Sequence, residues 1–360
     1  MTKYNQEFKV GKNSVGGQNP TYFIADIAAN HDGSLSRAKE LIHLAKEAGA
    51  DCAKFQHFSA DKIVSDYGFK NDNVGKVSHQ SSWNKSVFEI YDQYHTRKEW
   101  TEELVSTCKE VGIEFMTAPY DLDAVRELNP YLNAFKVGSG DITFKEELEL
   151  ISSYNKPVFL ATGASSLEDV SLALDALGEN KNICLMQCNT NYTGLSDNLN
   201  YINLNVLIQY KKMYEGIVLG LSDHTHGHAT VLGAISLGAK AIEKHFTDDN
   251  DRIGPDHKFA MNPKSWKDMV IASRELEAAL GDGNKKVEDN EKETVVIQRR
   301  AIRTNRPMQK GEVISEENIE FLRPCPVNSI DPRDFKKIIG MKTNKNLESG
   351  EELYWEVLEN

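Results

Sequence analysis

Gly220-Leu-Ser-Asp-His224 and Glu243-Lys-His245, with the segment that joins them, decide the fold. Ile217 to Leu221 reads as a buried strand and Lys240 to Phe246 as the next, while His228-Ala-Thr-Val-Leu-Gly-Ala-Ile-Ser-Leu-Gly between them has helical apolar spacing. Strand, helix, strand makes the two strands parallel neighbours, so His224 and His245 emerge at the same, C-terminal edge. Two neutral imidazoles placed this way could share one metal ion. The alternative is two unrelated histidines, in the core or on the surface.

The same alternation runs outward along the chain. Strand-like runs stand at Tyr22 to Ala28, Cys52 to Gln56, Glu114 to Ala118, Ala134 to Gly138, Pro157 to Ala161 and Ile183 to Gln187. Helical patterns separate most of them, such as the one opening at Leu35, and Gly49, Gly112 and Gly238 stand where helix C-terminal caps belong. With the two strands above, this predicts an α/β chain: a (β/α)8 TIM barrel over residues 1–281. The segment from His57 to Thr96 exceeds a normal connection and carries Trp83, Phe88, Tyr91 and Tyr94, so it is expected to fold over the barrel mouth. Residues 282–297, opening Asp282-Gly-Asn-Lys-Lys, are charged and poor in apolar residues, which marks a linker. Residues 298–360 hold short strands broken by Lys-Gly and Ser-Gly turns, a small β-rich domain that is marginal alone.

Composition narrows the class. The chain has 360 residues, a net charge of -12 and 40% hydrophobic residues, with a mean hydropathy of -0.50. The acidic balance argues against nucleic acid or anionic membranes as partners. No run is long enough to span a bilayer, and the first residues lack the apolar stretch of a signal peptide. Five cysteines, an odd number mostly in apolar surroundings, read as buried thiols of a cytoplasmic protein; Cys184 and Cys188 do not look like a zinc knuckle.

Barrel enzymes place their chemistry where the strands end. Those ends offer Asp26, Lys54, Gln56, Thr117, Lys136, Ser139, Thr162, Tyr192, Ser222, Asp223, His224, Lys244, His245 and Asp256. Lysines inside strands are unusual, because a buried ammonium without a partner is costly. Lys54 and Lys136 therefore point to a small, multiply charged anion in the barrel mouth, or else pair with carboxylates such as Asp26 or Asp141. Lys54 or Lys244 would also suit a Schiff-base aldolase, though the two histidines would then have no task. His226 and His228 read as loop and helix-start residues.

Asn30-His-Asp-Gly, Lys54-Phe-Gln, Phe135-Lys-Val-Gly-Ser-Gly, Gly220-Leu-Ser-Asp-His-Thr, Ile242-Glu-Lys-His-Phe-Thr and Gly254-Pro-Asp-His-Lys resemble, in order, the motifs of the sialic acid synthase family, legionaminate- and pseudaminate-type synthases included. Arg300-Ala-Ile and Lys310-Gly-Glu through Arg323-Pro are similar to the SAF (antifreeze-like) domain of those enzymes. The resemblance spans almost the whole chain. It implies condensation of phosphoenolpyruvate with an open-chain mannosamine-like sugar, giving a nonulosonic acid and phosphate. It also implies that His224 and His245 hold a divalent ion, manganese before magnesium. Lys54, Thr117, Lys136, Ser139 and Ser222 would bind phosphoenolpyruvate, with Thr162 and Lys244 nearby. Gln56, Tyr192 and Asp256 would face the sugar. Asp26 would join Lys54, Lys136 and the histidines as a catalytic group. The family is homodimeric, its SAF domain capping the partner's site, and Arg323 matches an arginine that reaches the sugar's acyl group.

Departures accompany the likeness. Asp26 stands where glutamate is usual and Ala161 where serine is common. His57 follows Phe-Gln, Tyr192-Thr-Gly replaces a Tyr-Pro run, and Pro-Cys-Pro follows Arg323. The expectation is a retained reaction with an altered acceptor. A phosphosugar-using synthase, or a sugar-binding relative without activity, are the alternatives; the first would need an additional basic site.

Overall fold

The computed structural model describes residues 3–71, 85–192 and 196–360, and Trp83, Thr193 and Gly194 lie outside them. The described residues form two compact units, one ending at Gly281 and the other running from Asp282 to Asn360.

In the first unit eight parallel strands form the barrel. They are β1 (Tyr22–Asp26), β2 (Cys52–His57), β3 (Glu114–Pro119), β4 (Phe135–Val137), β5 (Val158–Ala161), β6 (Ile183–Cys188), β7 (Val218–Asp223) and β8 (Ala239–His245). Hydrogen bonding orders them β3-β2-β1-β8-β7-β6-β5-β4, and β3 lies against β4 to close the ring. All eight expected strands are present. Register decides which side chains meet: Asp26 pairs with Lys54 on one side and with His245 on the other, while Glu243 stands beside Ser222.

Because side chains alternate along a strand, each strand feeds two cores. One lies between sheet and helices and includes Phe23, Phe55, Leu104, Phe135, Leu160, Ile242 and Trp266. The other fills the barrel's lower interior with Tyr22, Ile24, Cys52, Met116, Phe159, Cys184, Met186 and Val218. A β-hairpin, Glu7–Val10 with Asn13–Gly16, supplies Phe8, Val10 and Val15 to that inner core. Phe8 meets Phe159 edge-on at 5.8 Å between ring centroids. The hairpin plugs the barrel floor, leaving the C-terminal mouth as the open end.

Helix Thr101–Val111 stops because Gly112 adopts φ 75° and returns its N–H to Cys108 O, a left-handed conformation that a side chain would strain. Above the mouth, helices Ala60–Ile63 and Val87–Tyr94 lie within the long second connection. The second unit pairs Ala301–Thr304 with Ile319–Leu322 and Lys342–Thr343 with Leu358–Glu359, both antiparallel. Ile302, Met308, Ile314, Ile330, Leu347 and Leu353 form its own core. Helix Lys292–Gln298 begins within the stretch read as a linker and ends one residue beyond it. Among the described residues no helix is long and apolar enough to cross a membrane. Cys52, Cys108, Cys184 and Cys188 are buried free thiols.

Candidate active site

The barrel mouth holds a narrow inner cavity of about 40 Å³ beneath an outer one of about 430 Å³. Gln56, Tyr120, Gly138, Ser139, Tyr192 and His245 line both, so the two are continuous. Asp26, Lys54, Lys136, Ser222, His224 and Glu243 line the inner one, and Asp141 and Asp256 the outer.

Glu243 sits at the centre. Its Oε2 lies 3.6 Å from Lys54 Nζ, its Oε1 3.6 Å from Lys136 Nζ, and Ser222 Oγ donates to Oε1 at 2.9 Å. Burial works against its charge, but Lys136 and Lys54 outweigh burial and hold the carboxyl at about 2. Lys54 also pairs with Asp26, which accepts a further bond from Gln56 Nε2 at 3.1 Å. Asp26 is pushed above the ordinary carboxyl value by burial, Lys54 notwithstanding. Glu243 is therefore the fixed negative charge and Asp26 the adjustable one. Whenever Asp26 takes a proton, two ammoniums face one carboxylate, and the cluster favours an anion. Each lysine has a carboxylate partner, and both line the inner cavity.

The two histidines stand above this cluster with ring centroids 5.4 Å apart. His224 Nδ1 lies 3.0 Å from Asn189 O; a carbonyl only accepts, so the proton is on Nδ1 and Nε2 carries the lone pair. His245 Nδ1 is buried without a hydrogen-bond partner and lies 3.7 Å from Asp256 Oδ2. Burial pushes each imidazole down to about 4, so both are neutral at pH 7. Tyr192 packs edge-on against His224 at 4.4 Å, and Phe259 against His245 at 4.9 Å. A divalent ion would fit this donor set, because the rings are neutral and adjacent and His224 is oriented by the Asn189 carbonyl. Among the described residues no group of three or more His, Cys, Asp and Glu forms a protein-only cage. Water or substrate would have to complete the shell.

Three expected site residues are placed elsewhere. Thr117 faces outward from β3, its hydroxyl 2.8 Å from His57 Nδ1, because its neighbour Met116 takes the inward position opposite Lys54. Thr162 donates to Met186 O at 3.0 Å and accepts from Tyr210, so its hydroxyl is spent in the wall. Lys244 lies between the inward Glu243 and His245 and so points outward, where it pairs with buried Asp223. His57 likewise turns into the wall, its Nε2 3.1 Å from Thr101 Oγ1. Arg323 is exposed in the second unit.

His57 and His31 carry a stability prediction. Burial depresses His57 to about 3 and His31 to about 4. Below the ordinary histidine value of about 6.5, the unfolded chain therefore takes up protons that the folded chain refuses. Stability supplied above that value is lost as pH falls towards 4. Each group contributes a slope of up to about 1.4 kcal/mol per pH unit. Melting temperature is expected to drop by several degrees between pH 7 and 5, with a shallower fall in His57→Gln; parallel curves would refute this assignment.

Comparison with known proteins agrees with the geometry. The model of the NeuB family matches residues 41–285, and that of the SAF domain residues 299–359. The chain belongs to the NeuB family. It is 34% identical to the N,N'-diacetyllegionaminic acid synthase of Campylobacter jejuni, over 92% of this chain and 98% of that protein. It is also 30% identical to human N-acetylneuraminate-9-phosphate synthase, over 96% of this chain and 95% of that one. The solved N-acetylneuraminic acid synthetase of Leptospira borgpetersenii, crystallised with citrate, superposes with a TM-score of 0.70 at 26% identity, covering 81% of this chain and 96% of that one.

Within this NeuB-family barrel, reading the strand ends overlooked Glu243 and Tyr120 as site residues. Glu243 was accessible: it lies two residues before His245 on one strand and so shares its face. Tyr120 follows the last residue of β3 and lines both cavities, but nothing in its local sequence marks it. Ala161, where serine is common, lines the inner cavity and brings no hydroxyl.

Proposed function

We propose that this protein condenses phosphoenolpyruvate with the open-chain form of a mannosamine-like sugar, giving a nonulosonic acid and inorganic phosphate. The observation that carries this reading is one arrangement. Two buried ammoniums and the Ser139 and Ser222 hydroxyls lie directly below two neutral imidazoles, at the floor of a cavity large enough for a sugar.

Lys54, Lys136, Ser139 and Ser222 would hold the phosphate and carboxylate of phosphoenolpyruvate, where point charges and hydroxyls suffice. His224 and His245 would hold the divalent ion, manganese before magnesium, which as a Lewis acid makes the sugar aldehyde more electrophilic. Gln56, Tyr192 and Asp256 would orient that aldehyde over carbon 3 of phosphoenolpyruvate. The new bond joins carbon 3 to the aldehyde carbon, whose oxygen takes a proton. Water adds to the electron-poor carbon 2 and gives up a proton, and phosphate leaves with cleavage of its C–O bond. Asp141, raised by burial to about 6 and lining the outer cavity, can carry one of these protons near neutral pH. Holding both reactants in one fixed geometry at the barrel mouth would supply much of the rate.

Neither lysine suggested for a Schiff-base route suits it. Lys54 is held above the ordinary ammonium range, because Asp26 and Glu243 outweigh its burial, and Lys244 is locked in the wall.

The test measures phosphate release and product mass with manganese, phosphoenolpyruvate and a range of hexosamines. Release that requires a sugar is expected; no release with any sugar overturns the reading. Metal binding has its own check: manganese titration should show a site in the parent protein that is lost in both His224→Ala and His245→Ala. We also propose a homodimer in which Arg323 serves the partner's cavity. Light scattering, and a raised acceptor KM in Arg323→Ala, test that arrangement.

A further inference from the structure

Asp32, in Asn30-His-Asp-Gly after β1, and His257, in Gly254-Pro-Asp-His after β8, have no part in the chemistry above. The structure joins them. His257 is 0% exposed, and its ring is held at both nitrogens: Nδ1 lies 2.7 Å from Thr247 Oγ1 and Nε2 2.9 Å from Asp32 Oδ1. Burial works against the Asp32 charge, but His257, Arg252 and Arg37 outweigh it and hold the carboxyl below its ordinary value. A carboxylate only accepts, so His257 Nε2 carries a proton. Arg252 Nε and Arg37 Nε each lie 3.1 Å from Asp32 Oδ2, and Arg37 also pairs with Asp248. The loops after β1 and β8 are thus pinned to each other around one buried imidazole.

Local backbone serves this pin. Asp32 adopts φ 52°, a left-handed conformation that aspartate tolerates better than most residues. Gly254 leaves room for the ring, since a Cβ there would lie 2.6 Å from His257 Cδ2 and 2.9 Å from its Nε2. Beside the pin stands Asp256. Its Oδ2 accepts from Ala29 N at 3.2 Å and faces His245 Nδ1 at 3.7 Å, the buried nitrogen with no hydrogen-bond partner.

We propose that His257 is a positioning residue: held by Asp32, it sets the neighbouring Asp256 against His245, where the sugar aldehyde and the divalent ion would meet. This rests on the condensation proposed above and names a residue that acts in it without touching either substrate. Residues 248–257 form neither helix nor strand, so the place of Asp256 depends on side-chain contacts. A site group left loose by about 1 Å loses much of its effect. Removing an outer partner of a metal-holding histidine costs about 10–100-fold in affinity or activity.

The test separates positioning from packing. His257→Ala is expected to raise the KM of the hexosamine acceptor about tenfold or more and the manganese Kd by about 10–100-fold. The KM of phosphoenolpyruvate should stay within about twofold of the parent, a division that a general loss of packing does not produce. His257→Gln, whose side-chain amide can still donate to Asp32, should recover a large part of both losses. Gly254→Ala should reproduce the pattern by pushing the ring off Asp32, and it carries the test if His257→Ala does not fold. Added to His257→Ala it should cost little more, because the ring it displaces is gone. A further readout needs neither substrate nor metal: in protein labelled with 15N-histidine, the His245 ring signals should shift in both variants. Unchanged His245 signals overturn the proposal, as does an equal rise in both KM values or a parent-like acceptor KM and manganese Kd. If the parent turns over no sugar, the condensation fails, and the His245 signals alone decide the positioning role.

Discussion

Lys136→Met is expected to lower kcat/KM for phosphoenolpyruvate by about 10²–10³-fold, a loss of about 3–4 kcal/mol of transition-state stabilisation. Lys136 is 2% exposed, lines the inner cavity and, in the proposed condensation, would sit where charge shifts as phosphate departs. An ammonium already held in place loses no reorganisation energy when that charge develops, and methionine keeps the chain length without it. The fold should survive, because Glu243 retains Lys54 and the Ser222 hydroxyl. The deficit should appear in the phosphoenolpyruvate terms and leave the KM of the sugar nearly unchanged. Steady-state titration of each substrate against the other separates the two. A variant that melts like the parent and turns over at the parent rate would remove Lys136 from the reaction.

What the sequence disclosed here depended on period and register. Strand existence was legible because buried parallel strands are short apolar runs, and the intervening helices repeat at 3.6 residues. The inward set was legible only in part. Parity within a strand is local, so His245 inward implies Glu243 inward and Lys244 outward. Treating every polar residue at a strand end as a site residue ignored that rule, and it misplaced Lys244 while missing Glu243. Thr117 is different. Its direction follows from the opposition of Lys54 and Met116 across β2 and β3, a pairing that no single strand encodes. The floor plug was equally hidden: residues 7–16 form an unremarkable amphipathic hairpin until a barrel exists whose lower end needs Phe8, Val10 and Val15. The connection after β2 was legible by length and aromatic content, and Tyr91 and Tyr94 do reach the outer cavity.

Lys244→Met is expected to destabilise the fold by about 3–5 kcal/mol, because it strands a buried charge. Asp223 and Lys244 have side chains 0% and 1% exposed. Lys244 also donates to Thr225 O at 2.6 Å, and Asp223 Oδ2 accepts from Thr230 Oγ1 at 2.7 Å and Thr225 Oγ1 at 2.9 Å. In the parent, Lys244 and these donors outweigh burial and hold the Asp223 carboxyl below its ordinary value. That contribution is present above the unfolded carboxyl value and lost as pH falls through the folded one. Without Lys244, burial dominates and the folded value rises above the unfolded one, which reverses the sign. The variant should then gain stability relative to the parent as pH drops from 7 to 5. Asp223→Asn combined with Lys244→Met removes both charges and should recover much of the loss, so the double-mutant cycle returns a coupling of a few kcal/mol. The pair ties β7 to β8 at the residues next to His224 and His245, so weaker manganese binding should accompany the single substitution and ease in the double. A Lys244→Met protein that melts like the parent yet is inactive would have the opposite meaning. The amine would then be chemical rather than structural, and trapping with borohydride would show a covalent adduct.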